Sequence, residues 1–482
     1  MPAFSPGLNL STQFKTLLKQ RPIFGQQLSI ELLAILSVYF VQGILGLARL
    51  AVSFFLKDDL GLSPAEVSVM LGIAALPWTI KPLFGFLSDG LPLFGYHRRS
   101  YMILAGLLGT ASWLSMATVV NTAGAAIAAI TLNSFSVAVS DVIVDSLVVA
   151  RARNESLSQV GGLQSLCWGT SALGGLLTAY LSGFLLEQFS TQVVFGITAT
   201  FPLLIAVAAW LITESPVDES PSGSVVWGQI QQLWRAIAQR AIWMPTVFLF
   251  LWQATPNAEA AFFFFTTNEL EFEPEFLGRV RLVTSLATLL GVWIFQRFLK
   301  AIPFRTIFAW STIFSAALGM TALLLVTHAN RTIGIEDHWF SLGDSLVLTV
   351  MGQIAFMPVL VLAARLCPPG IEATLFALLM SVVNLANLLS YESGALLMHG
   401  LGITETNFDR LWLLVLLTNL STLLPLPLLS LLPATDARHQ STSPQVGNQL
   451  EASQSAAIAN SQPSAPMPRL LPELASSQSL SD

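Results

Sequence analysis

The sequence predicts an all-α membrane protein: twelve transmembrane helices in two six-helix halves, with both termini cytosolic. Three observations lead there. The 482 residues are 54% hydrophobic and only 10% charged, whereas a soluble chain carries about 25% charged residues. Twelve apolar segments are long enough to cross a hydrocarbon core of about 30 Å, which takes roughly 20 helical residues. Lys and Arg are sorted between the two sides, 15 in loops on the N-terminal side against 3 on the opposite side. That excess marks cytosolic loops, and an even number of crossings follows from both ends sharing it.

The segments run over 28–56, 66–88, 100–120, 123–150, 159–186, 191–213, 243–266, 276–298, 304–327, 344–366, 371–398 and 408–432, numbered 1 to 12 below. Gly and Pro recur inside them, among them Pro77, Pro82, Pro256, Pro358, Gly161, Gly174 and Gly175, as membrane helices allow. Residues 214–242 form a polar linker between the halves. Its second part, VVWGQIQQLWRAIAQR, spaces Trp, Ile and Leu as an amphipathic surface helix does. The tail 433–482, rich in Ser, Gln, Ala and Pro, reads as disordered and cytosolic. The N-terminal segment 1–27 carries Lys15, Lys19 and Arg21 without an apolar run, so a cleavable secretory signal is not expected. A very short transit peptide is the lesser reading of the same residues.

Enzyme signatures are missing: there is no phosphate-loop GxxxxGK[ST], no HExxH and no GxSxG. Neither of the two cysteines, Cys167 and Cys367, has a metal-ligand neighbour at zinc spacing. No cofactor, no metal and no nucleic-acid partner is expected. Work across the bilayer then draws on a gradient.

Charged and amide residues inside the segments are costly, about 2.5–3.5 kcal/mol for a carboxylate or an Arg near a helix centre, and they face a bundle interior or an aqueous cavity. Segment 4 carries Asp141 and Asp145, four residues apart and so on one helical face. Segment 1 spaces Glu31, Gln42 and Arg49 along nearly one face, and segment 2 places Lys81 directly before Pro82. Segment 7 holds Gln253, Asn257 and Glu259 around Pro256, a residue that opens a helix and frees backbone carbonyls. Arg279 and Arg281 begin segment 8. Gln353 lies in segment 10, Arg365 ends it, and Asn384 and Asn387 lie in segment 11. Against a cavity role stand ordinary readings: Asp141 paired with a buried cation, Lys81 and Arg365 snorkelling from helix ends, and the asparagines bonding helix to helix. Glu31 reads as an interfacial residue, and the run Phe262 to Phe265 as packing.

The loop after segment 2, KPLFGFLSDGLPLFGYHRRSY, holds Gly85, Asp89, Gly95, Arg98 and Arg99. This resembles the cytosolic gating motif of the major facilitator superfamily. An Asp at a helix end can latch one conformation by pairing with basic groups and helix termini of the next bundle. In the second half GVWIFQRFLKAIPFR keeps Arg297, Lys300 and Arg305 but has Phe295 at the acidic position. Four further strings, LPWTIKPLFGFLSD (76–89), SDVIVDSLVVARAR (140–153), LWQATPNAEAAFFFFTT (251–267) and LVLAARLCPPGIEATLFALLMS (360–381), resemble the folate-biopterin transporter family of that superfamily.

The resemblance implies a secondary-active carrier of folates and related pteridines, working by alternating access around a mid-membrane site and coupled to protons. Folate joins a pterin to a benzoylated glutamate. Its carboxylates call for cations, its ring N–H groups for carboxylates, and its ring faces for aromatic side chains. The candidate ligands are Asp141, Asp145, Lys81, Arg365, Arg49, Gln253, Asn257, Trp78 and Asn384, with Trp252 and Phe262 to Phe265 as further aromatic faces. Asp141 and Asp145 are also the candidate proton carriers. Segment 5 is Gly-rich but has no Pro, unlike many antiporters of the superfamily, which favours symport. The expected partners are a small-molecule substrate, protons and the lipid bilayer, with the chain a monomer. The expected location is the cell membrane, multi-pass, or the plastid envelope in a plant or alga. Two rivals remain: a carrier of another anionic aromatic or nucleoside-like metabolite, and a major-facilitator-like assembly factor for chlorophyll-binding complexes.

Overall fold

The computed structural model describes residues 29–152, 157–212, 237–299, 302–366 and 372–432, together with Glu214, Pro216, Gln231 and Arg235. Most of the expected linker helix, the N-terminal segment 1–27 and the tail 433–482 lie outside the described residues. So do Lys300, Cys367 and the side chains of Asp89 and Arg365.

Regular structure among the described residues is helical. Ten helices are long and apolar enough to cross a membrane: Ile30–Asp59, Pro64–Ser88, Arg99–Thr118, Ala123–Val148, Leu166–Gln188, Thr191–Leu211, Pro274–Leu299, Phe304–Val326, Asp337–Val359 and Leu411–Leu431. Their outward faces carry Leu83, Val207 and Leu424, all exposed, as a lipid-facing surface requires and a water-facing one does not. Exposed Trp210, Trp293 and Trp339 suit the headgroup level near helix ends.

Two of the twelve expected segments are not among the ten. Segment 7 is split into Arg240–Gln253 and Glu259–Phe264. Pro256 lies in the break, and the helix resumes at Glu259. The freed backbone is satisfied by segment 11: the Asn257 N–H donates to the Ser390 carbonyl at 3.1 Å and the Ser390 hydroxyl to the Thr255 carbonyl at 2.5 Å. Gly394 permits this approach, because a Cβ there would stand 2.0 Å from the Asn257 carbonyl oxygen. Segment 11 itself is a 30-residue helix, Glu372–Leu401, with Asn384, Asn387, Tyr391, Glu392 and His399 along it.

Segment 2 is also interrupted. It runs as Pro64–Ala74, Leu76–Thr79 and Lys81–Gly90, with Pro77 and Pro82 removing N–H donors at the joints. The first piece starts with a capping box, Ser63 and Glu66 bonding reciprocally to each other's backbone N–H, and Pro64 at the first helical position.

Small residues bring helices to backbone contact. In the N-terminal half, a Cβ on Gly43 would lie 2.1 Å from the Ser171 carbonyl oxygen, joining segments 1 and 5. At the end away from residue 29, a single apolar core contains residues of both halves, among them Phe55, Phe195, Phe264, Phe265 and Leu411. Phe54 and Phe263 meet there edge to face, with ring centroids 5.2 Å apart. Two further cores fill each half separately towards the other end.

The same turn closes segments 1 and 7. Phe55–Asp59 and Phe265–Glu269 are each one π-turn, with Leu60 N–H bonded to the Phe55 carbonyl and Leu270 N–H to the Phe265 carbonyl at 3.0 and 3.1 Å. Gly61 (φ 64°) and Glu271 (φ 53°) follow in the left-handed region, and Pro64 and Pro274 then start segments 2 and 8. The motif FF-x4-L-x3-P is thus repeated at equal spacing in the two halves, a repeat that hydropathy alone does not single out.

Candidate functional site

Helix geometry layers the polar residues where the two halves meet. The deepest layer toward the residue-29 end is built on segments 1 and 4. The Tyr39 hydroxyl donates to Asp145 Oδ1 at 2.5 Å. Asp145 is exposed although its helical neighbours Ile143, Val144 and Leu147 are buried, which sets it on the cleft-facing side of its helix. One helical turn earlier, Asp141 pairs with Lys81, and both side chains are less than one-fifth exposed. Asp141 and Lys81 both act electrostatically on Asp145.

The break in segment 2 explains where Lys81 lies. Trp78 is three residues earlier on the same face, and the Lys81 ammonium sits over its indole, 4.7 Å from the centroid, a cation–π contact. The Trp78 carbonyl, left without a regular helical partner near the break, accepts from Asn384 Nδ2 of segment 11 at 3.1 Å. Trp78, Lys81, Asp141, Asp145 and Asn384 therefore form one connected group spanning both halves, with Tyr39 as a member that the sequence reading missed. Its only sequence signal is a tyrosine inside an apolar run, three residues from Gln42.

Other candidates are engaged elsewhere. Gln253 Nε2 donates to Asn387 Oδ1 at 2.6 Å, linking segments 7 and 11. Asn257 Oδ1 accepts the Glu259 N–H at 2.6 Å and so steadies the helix restart. Trp252 turns into the C-terminal half, donating to Thr312 at 3.0 Å and packing edge-on against Phe308. Phe264 and Phe265 are fully buried core residues. Glu31 lies in the first turn of its helix next to the Ser29 cap, a favourable place for an anion.

Arg49 belongs to a second layer, nearer the opposite end. It is exposed between buried Ala48 and Leu50, and its backbone N–H bonds the Gly46 carbonyl at 3.2 Å, the same oxygen that Arg281 of segment 8 contacts. Tyr391 donates to Glu259 at 3.2 Å. Arg281 Nη1 contacts the Gly46 carbonyl at 3.3 Å and Ser182 Oγ at 3.4 Å.

In the loop after segment 2, Leu93 and Tyr96 bond reciprocally around Phe94 (φ 53°) and Gly95 (φ 80°). Gly95 supplies the left-handed conformation such a tight turn needs. Gly85 carries no such demand, since a Cβ there would make only an ordinary contact with Val142 at 3.5 Å. The Arg99 guanidinium stacks on Trp210, 4.2 Å from the ring centroid. Glu214 accepts the backbone N–H groups of His97, Arg98 and Arg99 at 2.9–3.1 Å, using its carboxylate on the positive end of segment 3.

Among solved structures, similar folds are the nucleoside transporter NupG (TM-score 0.63, 15% identity, 84% of this chain and 99% of that one) and the peptide transporter POT in complex with sulfate (0.66, 14%, 87% and 97%). A D-xylose-proton symporter is also similar (0.61, 15%, 84% and 99%). These fix the fold as that of the major facilitator transporters. In sequence, the chain is 62% identical over 426 residues to the folate-biopterin transporter of Synechocystis sp., covering 88% of this chain and 86% of that protein. It is 34% identical to probable folate-biopterin transporter 2 of Arabidopsis thaliana (83% and 82%) and 29% identical to folate transporter 1 of Plasmodium falciparum (82% and 78%). The relatives are named as transporters, not enzymes. With the BT1 family matching residues 42–448, this chain belongs to the BT1 family, the folate-biopterin branch of the major facilitator transporters.

Proposed function

We propose that this protein is a proton-coupled carrier of folates and related pteridines that works by alternating access. The observation that carries the reading is the group Trp78, Lys81, Asp141, Asp145 and Asn384, which offers an aromatic face, a cation, carboxylates and an amide in one cleft between the halves. Those are the partners a pterin ring requires. The names of the relatives support the same cargo. They also weigh against an assembly factor, which needs no polar cleft of solute size.

In this reading twelve helices cross the membrane in two halves, 28–213 and 243–432, joined by the linker 214–242, with both termini cytosolic and the chain a monomer. The 15-to-3 distribution of Lys and Arg supports that orientation. Several contacts between the halves lie at the opposite end: Lys57 to Asn268 at 2.8 Å, Tyr180 to Glu275 at 3.1 Å, and Ser68 to the Tyr391 carbonyl at 2.9 Å, with Asn384 to the Trp78 carbonyl joining them nearer the residue-29 end. A state closed there gives its cleft to the cytosol. Asp145, accessible and held by one tyrosine hydroxyl, takes the proton, while Asp141 is neutralised by Lys81. The membrane is the cell membrane, or the plastid envelope if the host has plastids.

The test is uptake of radiolabelled folate into cells lacking their own carrier, at matched expression of wild type, Asp141→Asn and Asp145→Asn. Uptake by wild type that rises as external pH falls, and that is lost in Asp145→Asn, supports the proposal. Well-expressed wild type that moves neither folate nor biopterin overturns the pteridine assignment, and uptake indifferent to pH overturns the coupling.

A further inference from the structure

The polar groups between the halves fall into two layers of different composition. Toward the residue-29 end lie Asp141, Asp145 and Lys81, two carboxylates with one ammonium. Toward the opposite end, where Glu392 of segment 11 also lies against Gly72, are Arg49, Arg281 and Glu259, with Arg281 contacting the Gly46 carbonyl one turn before Arg49. These three come from segments 1, 8 and 7, so the layer draws on both halves.

The two layers sit at different depths. At a rise of about 1.5 Å per residue, Arg281 is roughly 11 Å from the start of its helix at Pro274 and Arg49 roughly 15 Å from the end of its own at Asp59. Lys81 lies roughly 26 Å from Pro64, and Asp145 roughly 33 Å from Ala123, all measured from the same end. The layers are thus separated by about 10–20 Å.

The arginines are available. Neither has a carboxylate within ion-pair distance among the described residues. Among the described residues Arg281 makes two long contacts, to a carbonyl and a hydroxyl, and Glu259, which acts on it electrostatically, is already bonded by Tyr391. Two like charges held in mutual reach inside a membrane protein are unfavourable unless an anion joins them. Guanidinium groups suit a carboxylate, which they bind in forked geometry.

We infer that Arg49 and Arg281 form a carboxylate subsite, so that an extended ligand binds with its acidic tail toward the opposite end and its hydrogen-donating ring at Asp145 and Trp78. The inference rests on the pteridine-carrier reading and adds to it a polarity and a residue, Arg281, outside the group that carries that reading. A compact pteridine without carboxylates would occupy only the ring layer.

The experiment compares folate with biopterin, a pteridine lacking carboxylates, for wild type, Arg49→Gln, Arg281→Gln and Arg281→Lys at matched surface expression. The expected result is a fall of at least roughly tenfold in the folate-to-biopterin ratio of uptake efficiency in both Gln variants, the scale of one lost charged hydrogen bond, with partial recovery in Arg281→Lys. Aminobenzoyl-glutamate, the tail without its ring, should compete with folate in wild type and lose that effect in Arg49→Gln. Arg49 donates no side-chain hydrogen bond among the described residues and is exposed, so its replacement removes no hydrogen bond and keeps the test open if Arg281→Gln fails to fold. An unchanged ratio, with both substrates falling together, overturns the subsite and leaves Arg281 a structural tie to Gly46 and Ser182. Wild type that moves biopterin but not folate overturns the subsite while sparing pteridine transport, and wild type that moves neither overturns both.

Discussion

Gly183 and Gly278 pack backbone against backbone across the two halves: a Cβ on Gly183 would stand 2.7 Å from the Gly278 Cα and 2.2 Å from the Pro274 carbonyl oxygen. Segments 5 and 8 close on each other there with no room for a methyl group. Gly183→Ala should therefore hinder this closure and favour the state open on the opposite side. Ser182, fully buried beside it, is the reporter. In a background with Cys167 and Cys367 replaced by Ala, Ser182→Cys should react slowly with a membrane-impermeant thiol reagent, and several-fold faster once Gly183→Ala is added. Equal rates would show that the glycine contact does not govern closure.

The Lys81–Asp141 pair makes a second prediction. Each side chain is largely withdrawn from solvent, and removing one partner leaves the other uncompensated, a loss of about 3–5 kcal/mol when burial is complete and less here. Asp141→Asn alone should lower the melting temperature in detergent clearly. The double variant Lys81→Met, Asp141→Leu should recover much of that loss, since apolar replacement of both partners is tolerated, yet should not transport. A double variant that melts as low as the single one would show that the pair is not the stabilising unit.

Much of this architecture is legible in the sequence, and the reasons for the misses are specific. Segments appear because apolar runs are local, and ten of them correspond to helices of spanning length among the described residues, though segments 5 and 10, Leu166–Gln188 and Asp337–Val359, start seven residues from the expected bounds. Segment 7 escapes because Pro256 breaks it, even though Pro256 itself was visible. Lys81, Asp141 and Asp145 stand out because charge in an apolar helix is costly. Their partnerships do not. Nothing local reports that Lys81 takes Asp141 and leaves Asp145 to Tyr39, or that Asn387 occupies Gln253, since these contacts join residues 60 to 134 positions apart. Arg281 stands out in the same way, as a charged residue near the start of segment 8, but nothing local marks it as a ligand. Its facing partner Arg49 comes from the other half, which only folding brings near.

The repeated turn makes a third prediction. Gly61 and Glu271 occupy equivalent left-handed positions after the π-turns of segments 1 and 7. A non-glycine residue pays roughly 1–2 kcal/mol for this conformation, partly offset because glycine loses more freedom on folding, about 0.5–1 kcal/mol. Glu271→Gly should therefore stabilise by up to about 1 kcal/mol, and Gly61→Ala should destabilise by a similar amount. A Cβ on Gly61 would meet nothing within 4 Å, so the effect is conformational and not steric. Melting curves of the two variants in one detergent decide it. Shifts of the same sign would contradict the equivalence of the two turns.

Glu214 makes the last prediction, because it joins the loop after segment 2 to the chain beyond segment 6. Its carboxylate accepts three successive N–H groups at His97, Arg98 and Arg99, and these would otherwise be open donors at the start of segment 3. The same loop is held by Arg99 on Trp210 and by His97 Nδ1 against the Ser88 carbonyl at 2.8 Å. Glu214→Gln keeps one acceptor oxygen but removes the charge that faces the helix dipole, a loss of about 0.5–1 kcal/mol. Glu214→Ala removes the acceptors as well and should cost roughly 1–2 kcal/mol. The change should be local: the loop 91–98 should become more sensitive to protease in membrane vesicles, in the order wild type, Gln, Ala, while the melting temperature moves little. Protection identical in all three would place the restraint on Arg99 and Trp210 instead. In that case Trp210→Ala, and not the Glu214 variants, should expose the loop.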